Sequence, residues 1–253
     1  MREHMPSDML PALAHAVADA TLSLWPDHEH EERELAAELR ANTVHLGELT
    51  HPALWRPEGH PCLYRVSISL TDAGLYQQAV EYDERAARHS SDILGENHPD
   101  TLSARSNLAV SYGVVGRVQE ALELGERVLL DRERVLGKDH SGTLSARTNL
   151  AVFYSKAGRV QEALALRERV LVDHERVLGG DHPDTLSARN NLANSYGDAG
   201  RVQEALALRE RVLVDRERVL GEDHPATRLA RSSLARAREA SEPPDTNPPA
   251  AAL

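Results

Sequence analysis

The sequence predicts an all-α protein built from stacked antiparallel helix pairs. The first observation is that a segment of 42 residues recurs along the chain of 253 residues. The second is that apolar positions inside each copy follow a helical spacing. The third is composition: hydrophobic residues make up 41% of the chain but aromatic residues only 4%. The core must therefore be filled by Leu, Val and Ala, which favours packed helices over a β-sandwich.

The repeat is defined by residues that keep one register. The positions that recur in steps of 42 residues include His98, His140, His182 and His224, and also Gly74, Gly116, Gly158 and Gly200. Segment 158–183 differs from segment 200–225 at two positions only. Copies this similar are stacked units of one structure and not independent domains.

The copy spanning 181–221 shows how one unit is expected to fold. Asp181 is the expected N-cap of a first helix, and Gly200 ends that helix in a left-handed conformation. A second helix starts near Val202 and ends at Gly221. The same register predicts helices over 100–115, 117–136, 142–157, 159–178, 184–199 and 201–220. The residues predicted to lie where the two helices of a unit meet are Ala109, Ala151 and Ala193, beside Tyr112, Tyr154 and Tyr196.

These units resemble the tetratricopeptide repeat in the longer, 42-residue form of kinesin light chains and many bacterial regulators. The shared features are Asn-Leu-Ala at 107–109, 149–151 and 191–193, the Tyr that follows, a Gly-x-x-x-x-Ala turn and a Leu-Gly-x-Asp/Asn-His-Pro junction. The resemblance covers about residues 60–237 and implies a right-handed α-solenoid that binds other proteins. Arg105, Arg147 and Arg189 depart from the generic pattern, which often has Trp or Leu there, and their stems are expected to supply the packing.

The register also divides the chain into segments. Residues 1–55 are expected to form an N-terminal segment of two helices, near Ser7–Leu24 and Glu29–Leu49, and 56–97 a degenerate first repeat. Regular repeats are expected over 98–139, 140–181 and 182–223, then a capping helix over 224–240 and a disordered, proline-rich tail over 241–253.

The N-terminal segment resembles the stretch that precedes the repeats in bacterial signalling NTPases of the NB-ARC type. This second resemblance rests on residues 38–43, 51–55 and 59–61 and covers about 90 residues. It implies the sensor part of such a protein without its motor. No Gly-x-x-x-x-Gly-Lys-Ser/Thr phosphate-binding loop occurs in this sequence.

Composition narrows the range of partners. The formal net charge of −11 and the lack of a Lys/Arg cluster argue against nucleic acid or an anionic membrane. No apolar run reaches the roughly 20 residues of a membrane span. The single cysteine, Cys62, cannot form an internal disulfide and is expected to be buried in the degenerate repeat. We therefore expect a cytoplasmic protein.

Neither an enzyme site nor a metal or other cofactor is expected. The junction histidines occur once per unit, so neighbours should lie about 10 Å apart, too far to share a zinc ion. Residues 27–32, rich in His and Glu, are expected to form an acidic surface turn at a helix start. Carboxylates that recur with the register, such as Glu133, Glu175 and Asp215, are expected on a solvated face.

The candidate binding residues lie on the first helices, which should line the concave wall of the array. By resemblance to tetratricopeptide proteins that hold extended peptides, Asn107, Asn149 and Asn191 would form a ladder that hydrogen-bonds a ligand backbone. Alternatively, each Asn bonds to the helix of the next unit and only stabilises the stack. Further residues predicted to face this groove are Ser103, Ser106, Val110, Thr148, Val152, Lys156, Asn190 and Asn194. This small, polar wall fits an extended segment with small or apolar side chains better than an acidic C-terminal peptide.

The sequence thus predicts a non-enzymatic scaffold that binds a peptide or a partner protein in the concave groove. One alternative is a sensor array of, or derived from, a bacterial signalling NTPase, with an NTPase as its partner. Another is a purely structural homo-oligomer. The near-identical units carry little variation from which a ligand could be named.

Overall fold

The computed structural model describes residues 9–241, which contain α-helices, one 3₁₀ turn and no strand. The helices are α1 (Met9–Ser23), α2 (Arg33–Leu49), α3 (Pro61–Asp72), α4 (Tyr76–Leu94), α5 (Pro99–Val114), α6 (Val118–Val135), α7 (Ser141–Lys156), α8 (Val160–Leu178), α9 (Pro183–Asp198), α10 (Val202–Leu220) and α11 (Pro225–Ser241). The 3₁₀ turn Ala53–Trp55 separates α2 from α3. The all-α prediction is confirmed.

The chain divides after residue 157 into two compact units, each larger than a single repeat. From here on, the first and second unit are these two parts of the chain. The first unit contains α1 to α7 and the second contains α8 to α11. Within each unit, consecutive helices pack against each other, and in the first unit α5 also contacts α3 and α7. The stacked first helices of successive repeats therefore form a continuous layer in the first unit.

The six predicted repeat helices are α5 to α10, and each begins and ends within one residue of its predicted bound. Local signals explain this agreement, because Gly116, Gly158 and Gly200 each adopt a positive φ after a first helix. Helix α2 begins at Arg33, four residues after the predicted start at Glu29. The predicted start of α1 at Ser7 and the predicted tail beyond Ser241 lie outside the described residues.

Histidine, and not aspartate, caps the first helices. The Nδ1 atom of His182 accepts the backbone N–H of Asp184 at 3.2 Å. The same bond is made by His60, His98, His140 and His224. The prediction that Asp181 is the cap is wrong, and its carboxylate accepts from Arg218 instead. A proline follows His182 and holds it in the extended conformation of an N-cap, one residue later than predicted.

The helix pairs meet over small residues, as predicted. Ala109, Ala151 and Ala193 are each at most 2% exposed. The tyrosines beside them connect each first helix to the second helix that precedes it. Their hydroxyls donate to Glu84, Glu126 and Glu168 over 2.9–3.0 Å. The side chain at this register position therefore packs its ring inward and keeps its hydroxyl at the half-exposed rim.

Two arginines of the repeat are buried ion-pair partners. Arg189 is 3% exposed, and its guanidinium donates to Glu175 at 2.6 Å and also to Asp215. Arg147 is 8% exposed and donates to Glu133 at 2.6 Å. The prediction that these recurring carboxylates only face solvent is wrong. A buried guanidinium must be neutralised, and these carboxylates lie within its reach.

The entry to α2 is a buried polar cluster instead of an acidic surface turn. Glu29 is 9% exposed and accepts from the indole of Trp25 at 2.8 Å. Arg65 of α3 lies 2.7 Å from the same carboxylate, and Arg40 and Ser69 also donate to it. The expectation of a solvated turn fails at Glu29 because Arg40 of α2 and Arg65 of α3 come to its carboxylate, and neither is its neighbour in the sequence.

Candidate functional site

The first helices of the first unit present an apolar row. The row consists of Ile68 on α3, Val110 on α5 and Val152 on α7, each separated from the next by 42 residues. Ile68 is 49% exposed and Val110 is 36% exposed, and Val152 is half-buried. Because α5 contacts both α3 and α7, the row continues across three neighbouring helices.

Two amides of the first unit lie beside this row. Asn107 and Asn149 precede Val110 and Val152 by three residues, so each amide shares a helix face with its valine. Both side chains are half-buried. Among residues 9–241, neither side-chain amide forms a hydrogen bond. Each therefore keeps one donor group and one acceptor atom for another molecule.

Other residues predicted to line the groove have internal partners. Ser103 donates to the carbonyl of Pro99 at 3.0 Å and accepts from Arg132 at 3.3 Å. Thr148 donates to a carbonyl of its own helix at 3.1 Å. Lys156 donates to the carbonyl of Gly113 at 2.7 Å, so its ammonium links α7 to the end of α5. Ser106 is half-buried.

The second unit carries the remaining predicted residues on α9. Asn190 and Asn191 are half-buried, and Asn194 is exposed. The Asn194 carbonyl accepts from Arg209 of α10 at 3.1 Å. No hydrogen bond to the amide of Asn191 occurs within the described part of the chain. The amide at this register position is therefore available in the second unit as well.

Arg167 of α8 and Arg209 of α10 lie on second helices but donate to groups of α9. Arg167 donates to the hydroxyl of Ser195 and, at 3.4 Å, to the carbonyl of Asn191. Burial lowers the pKa of its guanidinium. Both arginines bind groups of α9, so they support the helix that carries the candidate amides.

Ile68 is not among the groove residues that the sequence predicts. Its helix belongs to the degenerate first repeat, where Arg65 stands in the register position of the Asn ladder. Arg65 donates to the carbonyl of Pro26 at 3.2 Å and pairs with Glu29, so it is engaged internally. The signal that could have revealed Ile68 was its separation of 42 residues from Val110.

A separate open cavity of about 640 Å³ lies between α4 and α6 in the first unit. Its floor is apolar and includes Ala87, Leu108 and Leu124, and its rim carries the Arg105–Glu96 ion pair. It involves a different face of α5 from the one that carries Asn107. It is a second surface on which a partner could bind.

Three further features limit the chemistry of the described residues. No helix among residues 9–241 combines the length and apolarity needed to cross a membrane. No three side chains of His, Cys, Asp or Glu converge there to hold a metal ion. Cys62 is fully buried, and burial raises the pKa of its thiol to about 12.

The sequence model of the tetratricopeptide repeat matches residues 61–129, 100–171, 143–213 and 187–244, which together span most of the chain. The chain belongs to the tetratricopeptide repeat family. Proteins of this family are generally non-enzymatic scaffolds, and no catalytic family is indicated. No curated protein sequence matches the chain.

Solved tetratricopeptide structures share the fold. A Podosopora anserina protein described as a kinesin light chain with nearly identical TPR-like repeats is 33% identical, with a TM-score of 0.63 over 70% of this chain and 84% of that chain. A point variant described in the same words is 28% identical, with a TM-score of 0.65 over 85% and 98% of the two chains. The resemblance to kinesin light chain-like tetratricopeptide proteins is thereby confirmed.

Two more distant structures show the same fold alone. BtubC (BKLC) from P. vanneervenii is 18% identical, with a TM-score of 0.55 over 99% of this chain and 98% of that chain. A Rap protein complexed with competence and sporulation factor is 12% identical, with a TM-score of 0.59 over 92% and 66%.

Proposed function

We propose that this tetratricopeptide protein is a cytoplasmic, non-enzymatic scaffold that binds an extended segment of a partner protein along its first helices. The observation that carries the proposal is the pairing of side-chain amides that form no internal hydrogen bond with a partly exposed apolar row. Asn107 and Asn149 lack internal hydrogen bonds among the described residues, and Val110 and Val152 lie one helical turn away. An amide beside an apolar side chain suits a peptide backbone and its side chain together.

The spacing of the first helices supports an extended ligand. Packed helices lie about 8–10 Å apart, and three residues of extended chain span about 10 Å. A ligand that crosses α3, α5 and α7 would therefore place every third residue over the row of Ile68, Val110 and Val152. Since these three side chains are aliphatic, we infer a ligand with apolar residues at that period.

The charges near the row favour an internal segment over a free C-terminus. A terminal carboxylate is usually held by cations that are free to bind it. One N–H of the Lys156 ammonium donates to the carbonyl of Gly113, which holds this cation at the end of α5. Arg65 is paired with the buried Glu29. We infer that the partner contributes backbone amides and apolar side chains, and no terminal carboxylate.

The test uses a partner captured from the source cell and a labelled peptide from its extended region. Replacing Asn107 and Asn149 together by Ala should weaken binding about tenfold or more, since each lost hydrogen bond contributes about 0.5–1.5 kcal/mol. The matched control replaces Arg169 and Arg211, which are exposed on second helices. The control should bind as tightly as the wild type.

Two results would contradict the proposal. If the variant lacking both amides binds as tightly as the wild type, the ligand lies elsewhere, and the cavity between α4 and α6 becomes the surface to test. If that variant melts well below the wild type with unchanged affinity, the two amides stabilise the packing of the repeats and do not bind the ligand. The circular dichroism spectrum of each variant shows whether its helices are retained.

The alternative function is that of a sensor array for a signalling NTPase. The helices before the repeats favour testing it, because α1 and the 3₁₀ turn pack onto each other and onto the first repeat. An NTPase captured with the wild-type chain, whose hydrolysis changes when the first-helix ligand is added, would support this function. Capture of partners that lack nucleotide-binding domains would leave the scaffold function.

A further inference from the structure

Helix α1 buries small residues and exposes large ones. Ala14 and Ala18 are 1% and 0% exposed and face α2, α3 and the 3₁₀ turn. The outward side chains of Leu10, Leu13 and Val17 are 40–48% exposed. A surface helix normally turns its larger apolar residues toward the core and its polar residues toward water. In α1 this order is reversed.

The exposed residues of α1 follow the spacing of a coiled coil. They are Leu10, Leu13, Val17, Ala20 and Leu24, with separations of three, four, three and four residues. We call these five residues the α1 seam. All five are exposed, and Leu24, although it follows the last helical residue, still bonds the carbonyl of Ala20 through its backbone N–H. An alternation of three and four is the pattern by which one helix packs along another.

The charge of α1 differs from that of the rest of the chain. Between Met9 and Ser23 there is no Lys, Arg or Glu, and the one carboxylate is Asp19. Asp19 lies 3.1 Å from Nε2 of His60, to one side of the seam. The chain carries a net charge of −11, which opposes self-association in general. The five seam residues are uncharged, so two copies that meet along the seam place no like charges of the seam against each other.

We propose that the α1 seam binds the same seam of a second copy in an antiparallel, two-fold symmetric dimer. Antiparallel pairing places Val17 against its own copy at the axis and sets Leu13 opposite Ala20. A large residue then faces a small one at each step beside the axis. Parallel pairing would set Ala20 against Ala20 and leave a gap, which close packing disfavours.

The size of the contact sets its strength. A helix of 15 residues is about 22 Å long, so one helix pair lies at the low end of the interface sizes that hold stable complexes. We therefore expect a reversible dimer that forms in the micromolar range. Such a dimer would present two first-helix surfaces to one partner and would raise the avidity of binding.

Sedimentation equilibrium of the full chain, across about 1–100 µM, tests the dimer. The wild type should change from monomer to dimer with concentration, and Leu13→Glu should weaken the dimer at least tenfold. The control is Leu130→Glu on α6, because Leu130 is 66% exposed and lies outside the seam. A wild type that stays monomeric, or a control that weakens the dimer as much as Leu13→Glu, would overturn the proposal.

Cysteine cross-linking tests the orientation. Under mild oxidation Val17→Cys should form a covalent dimer, because Val17 meets its own copy at the axis. Leu10→Cys should not, because it faces Leu24 in the antiparallel arrangement. The natural Cys62 is fully buried and should not react. Cross-linking of Leu10→Cys as fast as that of Val17→Cys would show a parallel dimer and overturn the antiparallel assignment.

Discussion

Phe153 fills a space that exists only because residue 125 is glycine. A Cβ atom at Gly125 would lie 3.0 Å from two carbons of the Phe153 ring. On another side, a Cβ at Gly113 would also lie 3.0 Å from the ring. The ring is 4% exposed and is held between α5 and α6. The two glycines and the only phenylalanine of the chain therefore form one packing unit.

The neighbouring repeats have different residue pairs at the positions of Gly125 and Phe153. In the repeat before, Asp83 occupies the position of Gly125, and its carboxylate accepts from Ser111 at 2.6 Å. In the repeat after, Arg167 occupies it and donates to Ser195. Aspartate pairs with serine, glycine with phenylalanine and arginine with serine. The second helix of one repeat and the first helix of the next are thus matched pairwise.

Gly125→Ala should destabilise the protein by about 1–2 kcal/mol. Alanine gains about 1 kcal/mol of helix propensity, but forcing a methyl group against the confined Phe153 ring costs more. Chemical denaturation followed by circular dichroism measures the difference. The companion change Phe153→Leu should relieve the clash, so the double variant should lose less stability than the two single variants together. Equal or greater stability of Gly125→Ala alone would show that the ring can move.

Ionisation of Asp83 should lower the free energy of unfolding as the pH rises toward neutrality. Its carboxyl is buried and bonded to Ser67 and Ser111, and burial raises its pKa from 3.8 to about 6. Because the pKa of Asp83 is higher in the folded than in the unfolded chain, protonation of Asp83 stabilises the fold. This stabilisation is fully present below about pH 4 and is lost as the pH rises through about 6. The loss should approach about 2–3 kcal/mol, at about 1.4 kcal/mol per pKa unit.

The measurement for Asp83 is urea denaturation from about pH 4 to pH 7.5. Asp83→Asn removes the titration, so the stability difference between wild type and variant should change over this interval. The control is Asp92→Asn at an exposed position of α4. Parallel stability curves for wild type and Asp83→Asn would show that the carboxyl does not titrate there.

Arg189→Met should destabilise the second unit by about 2–4 kcal/mol. Methionine keeps much of the apolar stem but leaves Glu175 and Asp215 without their buried cation. Thermal and urea unfolding measure the loss. Arg211→Met, at an exposed position of α10, should leave the unfolding midpoint unchanged. If Arg189→Met is as stable as the wild type, the ion pair contributes nothing beyond the packing of its stem.

His182→Ala should lower the free energy of unfolding by about 1 kcal/mol, which is the usual contribution of an N-cap side chain. His182→Asn should retain most of the stability, because the Asn oxygen can accept the same backbone N–H. Asp181→Ala should have the smaller effect, since Asp181 pairs only with the exposed Arg218. Thermal denaturation of the three variants ranks them. A larger loss of stability for Asp181→Ala than for His182→Ala would show that Asp181, and not His182, is the N-cap.

Local patterns in the sequence were enough to predict the helices and their register. The glycines that end helices, such as Gly116, and the small residues where helices meet, such as Ala193, act over one or two turns, so their effects can be derived from neighbours in the chain. The family resemblance added the candidate amides, Asn107 and its equivalents. Their role in binding stays a prediction, although the structure leaves them without internal hydrogen bonds among the described residues.

What only the tertiary structure decided depends on which distant side chains come together. Glu29 is buried because Arg65, 36 residues later, reaches it. Arg167 supports α9, whereas the equivalent Gly125 admits a ring, because the facing residue of the next helix differs. Ile68 joins the apolar row because α3 packs beside α5. A periodic sequence determines which residues share a helix face, but the volume and charge of the facing side chain determine whether a residue is buried, paired or exposed.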